Sequence, residues 1–583
     1  MTQNHLITDF TAGEISEKLS GRVDLELYYK GCSKLRNFLP MIQGGVRRRP
    51  STQYVGEVAG KCRLIPFCPS KNTAYLLEFT HLVLRIWHND ELMVFGDPGE
   101  ETSEIASPYT AAQIADIQYA QTHDRIFFAH RGHKPRMLIL GAGEFTWQQM
   151  EMITNADKTK PFNSSGNYPR AVAFLNSRLW FAGTDAEPAT LWASALPESG
   201  SPVNYENHTY YKTVTTTTLE PTEPETWEDP ELPEHEWVTR QNNITTDAHA
   251  IKITLGSEKN EEIQWMIGRH HLVVFTSSGE WTISGDITAL SQFAQLQTRY
   301  GASGFQGELM NDAVLFVQSD HKRIREYYYL SQEGTYMSPD LVFAADHITQ
   351  VGIESIAMQR APEPHLYAVL GNGELAVLTY NRMYGVTAWS VWSSADAIVE
   401  DVAILDSSDG EEVYISVERG AIRTLEKFVD PYTAEWHMDC KHTVDTDGSG
   451  VPDTHDLDGE VDWTYLDENG SVVETLEPDS SYTRGIMYAS YLQTNILEGQ
   501  GPYGSSTTRV KRVNEVRVRV VNSGLCEVGY IGRRERSREE FPYTGDLRVP
   551  APGTYGRDTK IEIHSVDGNP LMITAMVPDL EVV

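Results

Sequence analysis

The chain lacks the marks that assign a protein to a common enzyme class. It has no Walker lysine loop, no HExxH and no Gly-x-Ser-x-Gly elbow; Gly301-Ala302-Ser303-Gly304 has the wrong spacing. Cysteine is scarce. Five residues (Cys32, Cys62, Cys68, Cys440, Cys526) form an odd, dispersed set with no CxxC pair. That excludes a disulfide scaffold and reads as reduced thiols from cytoplasmic synthesis. Cys62 and Cys68 would touch only on neighbouring strands. No apolar run approaches the roughly 18 residues of a membrane span. The opening MTQNHLITDF has no basic n-region and no apolar h-region, so no secretory signal is expected. Basic residues are in deficit, with 48 Lys and Arg against 82 Asp and Glu, a formal net charge of -34. A protein that grips nucleic acid through its phosphates needs the opposite balance. A wall that repels phosphate suits a passage that DNA slides through, while the plainer reading of the charge is a solubility adaptation.

Helical periodicity is also scarce. The best candidate is Pro108 to Tyr119, with Ala111, Ile114, Ala115 and Ile117 at helix-compatible positions and Pro108 at the start. Most other segments read as short strands broken by Gly, Asn and Asp. Hairpins are expected for 82–87 with 92–95, 272–276 with 281–283, 366–370 with 375–379, and 413–417 with 422–425. The Asn, Asp and Gly tips supply the positive φ that tight turns require. These apolar units begin near residues 82, 126, 179, 272, 314, 366 and 413. Their spacing mostly matches the roughly 40–50 residues of one propeller blade. The long step from 179 to 272 holds a polar insertion. The expected fold is mainly β, an irregular β-propeller-like core with additional β-rich domains and few short helices; a series of β-sandwiches is the alternative. The expected domains are an N-terminal segment entering the β core (1–75), a propeller-like domain (76–430) and a C-terminal β-rich domain (431–583).

Three segments stand out in charge. Thr213 to Thr239 has eight acids and no Lys or Arg, and reads as a protruding insertion at about 213–240. Asp439 to Asp479 has 13 acids and one Lys. Arg509 to Arg538 has nine Lys or Arg against three acids, and Val516 to Val520 within it alternates like a half-buried strand with a charged outer face.

One pattern has metal-ligand spacing. Asp445, Asp447, Ser449, Asp453 and Asp456 fall at positions 1, 3, 5, 9 and 12 of a loop with Gly450 at position 6. This is the spacing of a calcium loop. Against it stand the missing helix, Pro452 at position 8 and an Asp in place of the usual closing Glu. A solvated acidic turn is the competing reading. The adjacent His270 and His271 fall at a strand start, where neighbours point to opposite faces, so they suit structure better than metal. Arg47-Arg48-Arg49 is too small a basic patch for nucleic acid in so acidic a chain, and salt bridging is the better expectation. No catalytic residue and no cofactor-binding residue is expected.

The first 56 residues carry a resemblance. They contain the run Asp9 to Ser16, then Gly21 to Asp24, Tyr28 to Asn37 and Gly44 to Pro50. Further pieces follow in order: Tyr168 to Phe174, Ser177 to Thr184, Leu191 to Ser194, Gly279 to Trp281, Ile324 to Glu326, Pro362 to His365, Leu378 to Tyr380, Ala388-Trp389, Leu425 to Lys427, Tyr543 to Asp546, and Asn569 to Leu571. Each piece is short; their order is the specific signal. Together they resemble the nozzle proteins of short-tailed bacteriophages, also called tail tubular protein B-like or stabilization proteins. The resemblance implies a propeller-containing virion subunit and a homohexameric ring below the head-to-tail adaptor. The ring would conduct double-stranded DNA without specific binding and dock tail fibres or a tip protein. The acidic insertion, with Glu220 to Glu236 as a candidate gate, and the calcium-like loop have no place in the family pattern. The competing classes are a propeller-type tail adhesin or glycan-active protein, and a cellular calcium-dependent scaffold.

Overall fold

A computed structural model describes the chain outside residues 151–161, 195–214, 217–242, 245–250, 257–260, 285–292, 430–435 and 537–541, and outside scattered gaps of one to three residues that include Asp456. It contains two compact units, Met1–Ala115 with Gly307–Val583, and Asp116–Gln306.

The smaller unit is built of three antiparallel four-stranded sheets in chain order. The first runs Gln118–Thr122, Arg125–His130, His133–Gly141, Glu144–Gln149. The second runs Ala171–Leu175, Arg178–Ala182, Thr190–Ala193, Ile251–Thr254. The third runs Ile263–Gly268, Leu272–Thr276, Glu280–Ser284, Phe293–Thr298. Successive sheets pack face to face. Phe127 and Met137 meet Val172, Phe181 and Trp192, while Trp180 and Leu191 meet Val274 and Trp281.

The larger unit holds four more such sheets. They begin at Arg63–Ser70, Glu308–Met310, Ile353–Gln359 and Ala397–Ser407. In the last, Ala397–Ser407, Gly410–Arg419 and Ile422–Phe428 take their fourth strand, Thr52–Glu57, from the other end of the chain. Seven four-stranded meanders with the same strand order make the architecture β-propeller-like. Each strand offers one row of side chains to each neighbouring sheet, so most positions are buried and apolar, as in Ala313–Val317.

Two of these sheets continue outward. Val386–Trp392 pairs in parallel with Gly13–Glu14, and the sheet runs on through Gly31–Arg36, Ser490–Thr494, Glu562–Ser565, Glu527–Tyr530 and Arg533–Arg536, ten strands in all. Thr52–Glu57 pairs on its far side with Met438–Asp445, extending the other sheet to eight strands. A six-stranded sheet of Thr2–Asn4, Phe38–Pro40, Val46–Arg48, Met572–Val582, Lys511–Ser523 and Tyr543–Pro550 covers the outer part of the ten-stranded one. Val513, Val516, Val518, Val520, Leu547 and Ile573 join Cys32, Leu35, Leu492, Val528 and Ile563 in that core.

All four expected hairpins form. Val516 to Val520 alternates as expected, valines buried and Arg517 and Arg519 exposed. Arg519 forks onto Asp546 at 2.7 and 2.8 Å, and Arg517 meets Glu515 at 2.9 Å. The expected helix at Pro108 to Tyr119 is corrected. One 3-10 turn, Ile114–Asp116, forms there, and Gln118 already belongs to a strand. Pairing with Arg125–His130 outweighs a weak local helix preference. Seven apolar units were legible and seven sheets are found, but the unit at 82 is the third strand of its sheet, not the second. The long step after 179 holds no further four-stranded sheet among the described residues, only the short pairing of Thr215–Thr216 with Asn243–Ile244; the insertion interrupts one sheet between its third and fourth strands. Cys62 and Cys68 stand at and along one strand, and all five cysteines are free thiols.

Candidate functional site

The densest concentration of buried charge lies where the N-terminal residues stitch the larger unit together. Gly13 starts it. Its φ is +62°, and a β-carbon there would lie 2.4 Å from both the N and the O of Trp389, so only glycine lets the strands pair. Glu14 is fully buried beside it. Its carboxylate accepts the Leu35 N–H at 2.7 Å and faces Lys34 Nζ at 3.3 Å, Arg36 Nη2 at 3.2 Å and His347 Nε2 at 2.9 Å. Burial alone would raise this carboxyl; the His347 hydrogen bond and the two cations hold it below its ordinary value.

The three arginines follow, all buried. Arg47 meets Glu363 at 2.9 Å. Arg48 donates to Ser565 Oγ at 3.0 Å, to the Asn569 carbonyl at 3.1 Å and to the Tyr488 carbonyl. Arg49 forks onto Asp439 at 2.8 and 2.6 Å, donates to Asn37 Oδ1 at 2.9 Å, and lies 3.5 Å from the centre of the Tyr488 ring. Burial pushes the Arg48 guanidinium down; at Arg49 burial also lowers, but the Asp439 and Tyr488 charges and the Asp439 hydrogen bonds together raise it above its ordinary value. A second fork, Arg419 onto Glu426, lies close by, and Thr52 also donates to Glu426. A partly open space of about 30 Å³ sits among Arg49, Asp439, Arg419 and Glu426.

Later pieces of the ordered pattern meet in the same way. Tyr380 donates to Glu326 at 2.7 Å, with Arg382 on the same carboxylate. Trp389 donates to the Leu341 carbonyl at 2.9 Å. Such groups are matched to one another and leave little for a ligand. Sequence reasoning missed Asp439, Arg419, Tyr488 and His437, because the acidic stretch from 439 hid one carboxylate with a buried task. The signal was there: Asp439 is flanked by Met438 and Cys440 and not by further acids.

The calcium-like loop is a turn. Asp445, Asp447, Ser449 and Asp453 are exposed, and Asp456 lies outside the described residues. Asp447 Oδ1 accepts the N–H groups of Ser449 and Val451 at 2.8 and 2.9 Å, which holds its carboxyl below the ordinary range. Gly450, at φ +75°, lets the chain reverse. Among the described residues no group of three or more His, Cys, Asp or Glu is placed to hold a metal ion. The candidate gate Glu220 to Glu236 lies outside the described residues. No described helix is long and apolar enough to cross a membrane.

No family model and no curated protein matches the chain. Solved structures similar to it include the WD40 domain of Neurospora crassa Pan2, at 9% identity over 64% of this chain and 90% of that one, TM-score 0.35. The β-propeller domain of Myceliophteria thermophila Cps50 (Swd1) covers 64% of this chain and 99% of its own at 10% identity, TM-score 0.36. YCF48 bound to D1 peptide covers 66% and 99% at 11% identity, TM-score 0.35. Overlaps of this size carry no argument about function, and the propeller-like architecture stands on the seven sheets themselves.

Proposed function

We propose that the chain is a structural subunit of a short bacteriophage tail. It forms the ring-shaped nozzle below the head-to-tail adaptor, in six copies as the family resemblance implies. Genomic double-stranded DNA passes through during ejection without specific binding, and the outside of the ring docks tail fibres or a tip. The protein is made in the host cytoplasm, works in the virion tail and catalyses nothing.

One observation carries this reading. The ordered pieces that resemble the nozzle family supply Gly13, Glu14, Arg47, Arg48, Arg49, Glu326, Glu363, Tyr380, Trp389, Glu426 and Asn569, and these are spent on buried or half-buried contacts with other groups of the fold. Residues kept for catalysis or ligand capture line a cleft and leave polar groups free for the ligand. Residues kept for mechanical continuity pair with one another, as these do. The net charge of -34 supports a passage that does not trap phosphate.

The test is the mass of the assembled protein in native conditions, alone and with its adaptor ring. The expected result is a six-membered ring in at least one of these conditions. A monomer in both overturns the reading. Glycan binding or cleavage by a chain that never forms a ring favours the propeller-type adhesin or glycan-active alternative.

A further inference from the structure

The outer half of the eight-stranded sheet holds a cluster that the nozzle reading does not use. His442 lies on Met438–Asp445, next to Arg484 on the paired strand Ser481–Met487. Its ring stacks on His455 with centroids 4.5 Å apart. Trp463 stands edge-on to both rings at 5.2 and 5.5 Å, and Tyr54 approaches them from Thr52–Glu57 at 5.7 and 4.6 Å. His455 and Trp463 belong to the segment 446–463, which leaves the sheet and folds back over it. The segment is held by this box, by buried Leu457 against Cys440 and Ile486, and by Asp458. Asp458 accepts the Trp463 indole N–H at 2.9 Å and the His455 backbone N–H at 2.8 Å, and lies 3.4 Å from Arg484 Nη1.

Both nitrogens of His442 are spoken for. Nδ1 lies 3.0 Å from the Cys440 carbonyl, which only accepts, so Nδ1 carries the proton. Arg484 Nε lies 2.7 Å from Nε2, and a guanidinium only donates, so Nε2 must be bare. The ring is therefore neutral by geometry. A second proton would go on Nε2 and point at the Arg484 N–H. It would also set a positive ring against a guanidinium at hydrogen-bond distance. The charged and titratable groups facing His442 from the packed elements are Arg484, His455, Asp458 and the Tyr54 hydroxyl. Of these only Asp458 favours the charged ring, and its oxygens already serve Trp463, His455 and Arg484.

We propose that His442 is a proton-operated latch: protonation expels Arg484 from its Nε2, breaks the box, and releases segment 446–463 from the sheet, uncovering Trp463 and Tyr54. Burial first, then the Cys440 hydrogen bond in the opposite sense and the Arg484 and His455 charges, leaves the ring's pKa lowered from 6.5 to about 4. A folded value below the unfolded one means that the latch contributes fully above pH 6.5 and loses that contribution as pH falls toward 4. Over that window the opening equilibrium rises by less than tenfold per pH unit, because the ring is only partly buried and solvent screens part of the shift.

The experiment is amide hydrogen exchange of the whole chain between pH 7 and pH 4, corrected for the intrinsic rate. Exchange in 446–463 should rise by roughly tenfold or more ahead of the strands of the same sheet. In His442→Gln the amide oxygen accepts from Arg484 and cannot titrate, and the pH dependence of the segment should vanish. A flat wild-type profile overturns the latch. So does an unchanged pH dependence in the variant, because carboxylates would then be responsible. Simultaneous opening of the entire sheet overturns it as well. Where the variant fails to fold, the exchange rate of the His442 ring C–H in the wild type gives its titration directly. A midpoint well below that of an exposed histidine supports the latch, and one at or above it overturns it.

Discussion

Replacing Asp439 by Asn tests whether the buried junction holds the larger unit together. The Arg49 and Asp439 side chains are 4% and 2% exposed, and two hydrogen bonds of 2.8 and 2.6 Å join them. Asparagine keeps the shape and one acceptor but removes the charge. Arg49 is then left buried with only neutral partners, Asn37 Oδ1, the Pro50 carbonyl and the Tyr488 ring. Stranding one member of a buried pair costs about 3–5 kcal/mol, a large share of the ~5–15 kcal/mol by which folded domains are stable. Replacing both, Arg49→Met with Asp439→Leu, removes both desolvated charges and should recover most of that loss. Denaturant unfolding gives the magnitude. Hydrogen exchange gives the place: protection should fall in Met438–Asp445 and Thr52–Glu57 and not in Asp116–Gln306. Two results refute the reasoning, a single variant within about 1 kcal/mol of wild type, as for an exposed pair, or a double variant no better than the single one.

Three further outcomes are expected. Gly13→Ala places a β-carbon 2.4 Å from Trp389 backbone atoms at φ +62°, so the left-handed backbone alone costs about 1–2 kcal/mol and the clash adds to it; soluble yield and melting temperature should both drop. His365 and His437 are pushed down to about 3, first by burial and then by Arg47 and Arg48 respectively. Their folded values lie below 6.5, so their contribution is complete above that pH and fades toward pH 3, steepening acid unfolding by up to about 1.4 kcal/mol per pH unit for each; a denaturation midpoint unchanged between pH 6 and pH 4 contradicts this. Because Asp447 already serves its own turn, calcium titrated calorimetrically into the chelator-treated protein should give no binding isotherm, and a stoichiometric one would restore the calcium loop.

The repeat was legible because strands of this kind are short, apolar and separated by turn residues that announce themselves. Asn372-Gly373 and Arg419-Gly420 mark hairpins whatever the sheet around them. The continuation of two sheets through residues 13–57 was not legible, because the pairings that create it join Gly13 to Trp389, Cys32 to Thr494 and Thr52 to Phe428, and periodicity reports only on neighbours. The salt bridging expected of the arginine run is found at Arg47 and Arg49. Its ionic partners could not be read, since Glu363 and Asp439 each lie more than 300 residues away. The 108–119 segment misled because Ile114 and Ile117 are both buried by a 3-10 turn that helix periodicity also fits.

These long pairings make a counter-intuitive statement about truncation. Residues 1–51 find most of their strand partners beyond residue 437: Val46–Arg48 pairs with Met572–Val582, and Gly31–Arg36 with Ser490–Thr494. A chain cut after residue 429 keeps Arg48 and Arg49 but loses Tyr488, Asn569 and Asp439, stranding two guanidinium groups. It also bares the open edge of Gly31–Arg36, a template for association. Removing residues 1–51 as well takes away the stranded charges and moves the open edge back to Val386–Trp392, while Thr52–Glu57 still closes its four-stranded sheet. The shorter chain, 52–429, should therefore stay more soluble than 1–429, measured as the supernatant fraction and as the monomer peak in size exclusion. If 1–429 proves equally soluble, the N-terminal strands belong energetically to the four-stranded sheets and not to the C-terminal ones, and the junction described here is not what joins them.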